Sequence, residues 1–208
     1  MRKFEAVKET MQKVQSHKDG MNVQLPLRST KTSAGYDFYA TEDMIIRPQD
    51  KVTIATDVKV QIPEDEFLLM VVRSSKGIKD DLILANTLGI IDSDYYNNPK
   101  NDGNLHICLR NLRPSMKLKG TTILNLNKEG YNVSNDENTS DLVKGFTVEC
   151  AYDDCIRIPI IEDLTEENTV FIPRGERVVQ GIFVKYSTAE NCNSDNDRLG
   201  GIGSTDNK

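Results

Sequence analysis

The residues able to do chemistry fall in a few short segments of this chain. Arg73-Ser74-Ser75 sets a guanidinium beside two hydroxyls, a donor set suited to the oxygens of an anion. In Asn86-Thr87-Leu88-Gly89-Ile90-Ile91-Asp92-Ser93-Asp94-Tyr95 a carboxylate precedes an aromatic ring by three residues. A carboxylate so placed can orient and deprotonate a water. Ala34-Gly35-Tyr36-Asp37-Phe38-Tyr39-Ala40 carries another acid, and Gly175-Glu176-Arg177-Val178-Val179-Gln180 carries an amide. Asp197-Arg198-Leu199-Gly200-Gly201-Ile202-Gly203-Ser204-Thr205 joins an Arg to glycines whose N–H groups can approach an anion closely. Singly, each has a plainer reading: a turn Asp, a solvated Arg-Ser-Ser, a flexible tail.

Other chemistries are disfavoured. There is no Walker-type GxxxxGK[ST] and no GxGxxG between a strand and a helix. Two histidines, His17 and His106, in unsuggestive settings make Ser/His/Asp catalysis implausible. Cys108, Cys150, Cys155 and Cys192 form no CxxC pair, so a zinc site is not expected, and free thiols in a reducing cytoplasm are. A net charge of −6 without a basic run disfavours duplex nucleic acid, whose phosphates need a basic face. A small anion needs only a few local Arg and N–H groups and stays open. With no bilayer-length apolar stretch and no signal-peptide core, a cytoplasmic protein without membrane contact is expected.

These segments need a frame, and the hydropathy pattern describes one. Phe4, Val7, Met11 and Val14 recur at helical spacing, which predicts a short amphipathic helix over 1–20, closed by Asp19-Gly20. From residue 21 the period becomes two. Val52, Ile54, Val58, Val60 and Ile62 alternate with polar residues up to Pro63, and 67–72 is continuously apolar, like a strand buried on both faces. Further strands read at 82–85, 105–109, 170–172 and 178–186, separated by Gly, Pro, Asn and Asp. Many short strands with frequent turns predict an all-β sandwich or barrel. Residues 113–167 read as an inserted subdomain. Between Lys128 and Glu167 eleven acids face three bases, 131–140 reads as an exposed loop, and 142–148 and 156–161 could supply strands. The tail, 191–208, is polar and Gly-rich, the composition of a flexible arm.

Taken together and in order, the five segments resemble the five motifs of the trimeric dUTPase family. The resemblance covers about residues 21–112 and 168–208 and leaves the N-terminus and the insertion unexplained. It implies a jelly-roll β-barrel in 21–112 and 168–190, an arm in 191–208 that closes the site, and a homotrimer whose sites lie between subunits. The implied reaction hydrolyses dUTP to dUMP and pyrophosphate with Mg2+. Asp92 matches the general base and Tyr95 the ring that stacks on the sugar and leaves no room for a ribose hydroxyl. Asn86, Gly89 and Ile91 belong to the hairpin that reads uracil. Arg73, Ser74, Ser75 and Gln180 match the groups on the phosphate chain, and Asp37 a residue near the metal's water shell. Arg198, Ile202, Gly203, Ser204 and Thr205 match the closing arm.

The chain departs from the family pattern in places. Ile202 stands where a stacking Phe is usual, Asp206 where Gly is, Asn97 where Gly follows Tyr95 by two, and Val179 where Ala is; 96–102 looks like extra loop. Two other functions are weighed. A dCTP deaminase shares the ancestral fold, but needs a different acidic constellation and lacks the Gly-rich ending. A nucleotide-switched binding protein would use the insertion to dock a repressor or other partner.

Overall fold

The computed structural model describes residues 1–127, 130–131, 150–151 and 155–191. The chain divides into two compact units, Met1–Arg113 with the chain from Thr169 onward, and Pro114–Asn168. In the first unit β1 (Lys3–Ala6) leads through a 3-10 turn (Glu9–Met11) to the one-turn α1 (Gln15–Lys18). Then come β2 (Leu27–Arg28), β3 (Tyr36–Tyr39), β4 (Met44–Ile46), β5 (Lys51–Ala55), β6 (Val58–Gln61) and β7 (Glu66–Val72). α2 (Ser74–Asp80), β8 (Leu82–Leu84), β9 (Gly89–Ile91), a 3-10 turn (Ser93–Tyr95) and β10 (His106–Asn111) follow. The second unit holds β11 (Met116–Asn127), β12 (Gly130–Tyr131), β13 (Cys150–Ala151) and β14 (Cys155–Asp163); β15 (Val170–Ile172) and β16 (Arg177–Lys185) return to the first.

The architecture is all-β, as the alternation predicts. A five-stranded sheet runs β2-β3-β16-β7-β9 and a three-stranded sheet β5-β10-β8, with the pairs β1-β6 and β4-β15, all antiparallel. Their inward residues share one core, including Phe38, Ile46, Ile54, Leu68, Leu82, Ile107, Leu109, Ile172 and Val178. The apolar run at 67–72 is an inner strand. One face of β7 (Glu66, Leu68, Met70) is buried and the other is half-buried. In the second unit β11 and β14 form a long antiparallel pair with a bulge between Leu118 and Gly120, flanked by β12 and β13. Of the expected strands there, 156–161 lies in β14, whereas 142–148 and most of the 131–140 loop lie outside the described residues.

The single helix expected over 1–20 is replaced by strand, turn and one helical turn. The apolar stripe is only four residues long, so little helix stability came from it. Pairing β1 against β6, with Phe4 opposite Val60, offers backbone hydrogen bonds and an aromatic contact set. Phe4 packs 5.2 Å from Tyr36, 5.7 Å from Phe38 and 5.6 Å from Phe183, ring centre to ring centre. Aromatic packing of this kind stabilises by about 0.5–1.5 kcal/mol per pair beyond area burial.

Candidate active site

The first cluster is built by a bulge. On a strand, residues three apart point to opposite faces. Against β3, however, the register of β16 slips between Arg177, opposite Tyr39, and Val179, opposite Phe38. Val178 and Val179 are both wholly buried there, and Arg177 and Gln180 emerge on one face. Asp37, opposite Gln180 on β3, receives both. Gln180 Nε2 donates to Asp37 Oδ1 at 3.0 Å and Arg177 Nη1 to Oδ2 at 3.3 Å. Arg73, at the end of β7, places Nη1 3.2 Å from the same oxygen, and Ser29 Oγ donates to it as well. Gly35 has a packing reason, because a Cβ there would lie 3.2 Å from the Gln180 side chain.

Asp37 is 1 % exposed. Burial pushes its pKa up, but the hydrogen bonds from Ser29 and Gln180 and the charges of Arg73 and Arg177 outweigh that and hold it below the ordinary Asp value. The carboxylate thus stays ionised and locks two guanidiniums in place beside the exposed Ser74 and Ser75 of the first α2 turn. One acid thus lies between two guanidiniums whose remaining N–H groups can fork onto the oxygens of a polyphosphate. Lys76 braces the same corner. Its Nζ lies 2.6 Å from Glu176 and 3.0 Å from Asp80, tying α2 to the turn before β16. Burial pulls its pKa down, but these two carboxylates raise it overall.

The second cluster is the segment from β8 through β9 and the turn after it; instead of the expected hairpin, β8 pairs with β10 and β9 with β7. β8 belongs to the three-stranded sheet and β9 to the five-stranded one, so Asn86–Leu88 spans the corner between them. Thr87 adopts a positive φ of 69°, and Asn86 is exposed. Gly89 sits against Met70, where a Cβ would approach to 3.0 Å. Asp92, half-buried, caps the 3-10 turn, its carbonyl accepting from Tyr95 N at 3.2 Å. Tyr95 is 7 % exposed, its hydroxyl donating to Asn104 O at 3.1 Å. Arg198, Ile202, Gly203, Ser204 and Thr205 lie outside the described residues.

The two clusters do not meet within one chain. Ile91 is opposite Leu68 on one side of β7, whereas Val179 is opposite Val72 on the other. Asp92 therefore stands level with the start of β7 and Arg73 beyond its end, on the order of 20 Å apart at the rise of a strand. The sequence left Arg177 and Ser29 unassigned, and the bulge that turns Arg177 inward has no local signature beyond two adjacent valines.

The Mg2+ that the resemblance implies meets no protein cage, since no group of three His, Cys, Asp or Glu is gathered among the described residues. Asp37, which the resemblance places near the metal's water shell, is 1 % exposed and accepts from protein donors at both oxygens, Gln180 at Oδ1 and Ser29 and Arg177 at Oδ2.

A family model described as dUTPase matches residues 21–114, ending where the second unit begins. The deoxyuridine 5'-triphosphate nucleotidohydrolase of Lactococcus lactis is 31 % identical over 185 residues, 88 % of each chain. That of Corynebacterium diphtheriae is 30 % identical over 95 residues, 46 % of this chain and 59 % of its own. Among solved structures, the dUTPase of Streptococcus mutans superposes with a TM-score of 0.55 at 26 % identity, covering 90 % of this chain and 98 % of that one. The dUTPase from phage phi11 of Staphylococcus aureus, whose structure visualises a species-specific insert, shares the fold with a TM-score of 0.54 at 24 % identity, over 94 % of this chain and 97 % of that one. With its five motifs, its all-β frame and a full-length relative of this similarity, the chain belongs to the dUTPase family.

Proposed function

We propose that the protein hydrolyses dUTP to dUMP and pyrophosphate by attack of water on the α-phosphorus, in sites shared between the subunits of a cytoplasmic homotrimer. The observation that carries the shared site is the separation of Asp92 from the Asp37-locked guanidiniums along β7. A base that far from the groups gripping the phosphates acts only on a nucleotide held by another chain. Asp92 orients the attacking water and takes its proton, a role that contributes roughly 10²–10⁴-fold. Arg73, Arg177, Ser74, Ser75 and Gln180 bind the phosphate chain. Backbone groups of the β8–β9 segment, with Asn86, Gly89 and Ile91, read uracil, and Tyr95 lies under the sugar. Arg198 and Ile202–Thr205 close over the γ-phosphate and expel water. Magnesium, for which no cluster of ligating side chains is gathered among the described residues, would come with the substrate's phosphates and would supply charge neutralisation there.

A nucleotide panel scored for pyrophosphate tests this. The expected order is dUTP far above dTTP, dCTP and UTP, without ammonia from dCTP. Asp92→Asn is expected to bind dUTP without turning it over, and an active Asp92→Asn protein refutes the assigned base.

A second role is compatible with the first. Met116 and Leu118, two apart on β11, are 58 % and 64 % exposed, which favours a protein partner docking on the second unit. Deleting residues 115–165 would abolish capture of that partner while dUTP turnover persists. Loss of both together would make the unit a structural part of the enzyme.

A further inference from the structure

The loop after Tyr95 is more ordered than extra length requires. Asn98 Nδ2 donates to Tyr95 O at 3.0 Å and to Asn101 Oδ1 at 2.6 Å, while its own oxygen accepts from the N–H groups of Lys100 and Asn101, each at 3.1 Å. Asn101 Oδ1 also accepts from Gly103 N at 3.1 Å. Its Nδ2 is then aimed back at the ring, donating to the Tyr95 hydroxyl at 2.8 Å. Gly103, at φ +82°, lets the chain pass so close that a Cβ would lie 2.8 Å from Tyr95 O. Only glycine tolerates both conditions.

This loop is braced from behind by the N-terminal segment. The side chain of Asn104 pairs reciprocally with Asp57, donating to Oδ1 at 2.8 Å and accepting from Asp57 N at 3.0 Å. Asp57, fully buried, also accepts from Lys13 N at 2.8 Å, from Val14 N at 3.0 Å, and lies 2.9 Å from His17 Nδ1. Asp102 accepts from Lys8 N at 2.8 Å and Lys59 Nζ at 2.9 Å, and the Tyr96 hydroxyl donates to Glu5. Residues 5–17 thus hold both ends of the loop whose middle holds the ring.

We infer that Asn101, with Asn104 and Asp57 behind it, is a positioning residue that fixes the Tyr95 ring through its hydroxyl and so sets the preference for a 2′-deoxy sugar over a ribose. The inference rests on the reading that Tyr95 lies under the sugar. A ring excludes a hydroxyl group only if it cannot tilt away. Tyr95 turns about two side-chain torsions, and pinning its far end removes that freedom. The brace is made of backbone N–H groups of Lys8, Lys13 and Val14, the side chains of Glu5 and His17, and a loop the family pattern does not predict.

Asn101→Asp keeps the shape and the oxygen that accepts from Asn98 and Gly103, and replaces the N–H that reaches the hydroxyl by an oxygen. The hydroxyl's one proton then serves either that oxygen or Asn104 O, so its two-point hold becomes a one-point hold. In the full chain, kcat/KM is measured for dUTP and UTP, with melting temperature as the check on folding. The expected result is a ratio of dUTP to UTP lowered by about tenfold, through faster UTP turnover, with kcat for dUTP little changed. Tyr95→Phe, which removes this bond together with the hydroxyl's own donation to Asn104 O, is expected to lower the ratio at least as far, and the double variant no more than Tyr95→Phe alone. If Asn101→Asp fails to fold, Tyr95→Phe alone decides. A ratio unchanged in these variants but collapsed in Tyr95→Ala would overturn the inference and leave the sugar reading intact. A ratio unchanged in Tyr95→Ala as well would remove the sugar reading, and the inference with it.

Discussion

Asp37→Asn tests whether the phosphate pocket is organised by a buried charge. The amide has the carboxylate's shape. Its oxygen can still accept from Ser29 and one guanidinium, and the Gln180 amide can turn to meet its NH2. What is lost is the charge opposite Arg73 and Arg177, at 3.2 and 3.3 Å. A hydrogen bond to a charged partner contributes about 1.5–3 kcal/mol and a neutral one about 0.5–1.5, so two such bonds lose roughly 2 kcal/mol in all. The Arg177 part is discounted, since its side chain is 48 % exposed and screened by water, but the two guanidiniums then repel each other without an intervening anion. Taking roughly 2 kcal/mol, the melting temperature should fall by about 4–8 °C for a chain of this length, measured at fixed protein concentration because the proposed trimer would contribute to stability.

The pH dependence identifies the cause. The folded-state pKa of Asp37 is depressed, so its stabilisation is present above the unfolded value of about 3.9 and is lost as pH falls through the folded value. The variant and the parent are therefore expected to differ near pH 7 and to converge as pH falls below about 4. A melting temperature within a degree of the parent's near neutrality, or a gap that persists unchanged into acid, refutes the reasoning.

Other perturbations follow from the same packing. Gly181→Ala sets a Cβ 2.8 Å from a Phe38 ring carbon and 3.1 Å from Leu68; overpacking should cost about 1–3 kcal/mol in chemical denaturation, and an unchanged midpoint would mean the core yields freely. Phe4→Ala removes the half-buried ring that anchors β1, and a loss of about 2 kcal/mol is expected, below the range for a fully buried Phe. Chelation with EDTA is expected to lower dUTP turnover while leaving the melting temperature of the nucleotide-free protein unchanged, because the metal rides on substrate; a fall in melting temperature would reveal a structural ion.

The β-frame was legible because its signal is local. Alternation in 52–62 and the apolar run at 67–72 correspond to β5, β6 and β7, and the apolar stretches at 170–172 and 178–186 to β15 and β16. The N-terminus misled because Phe4, Val7, Met11 and Val14 satisfy helical spacing, while the edge of β6 and the aromatic cluster that capture Phe4 come from residues far along the chain. The motif resemblance marked Asp37, Arg73 and Gln180, which the structure brings together. It did not mark Arg177, because only the β16 bulge turns that side chain toward Asp37. The brace behind Tyr95 was hidden for the same reason. Asn97, Asn98, Asn101 and Asp102 read as loop composition, and only the fold carries Lys59 to Asn97 and Asp102 and Asp57 to Asn104.

Subunit complementation measures the shared site most directly. Asp92→Asn lacks the proposed base and Arg73→Ala a principal group of the proposed phosphate clamp, and each variant alone is expected to be nearly inactive. After the two are unfolded together and refolded at equal amounts, about a quarter of the sites should pair an intact Asp92 with an intact Arg73 from a different chain, and dUTP turnover should reappear at that level. Turnover that stays at the level of the separate variants in verified mixed trimers would place both residues' work within one chain and contradict the account.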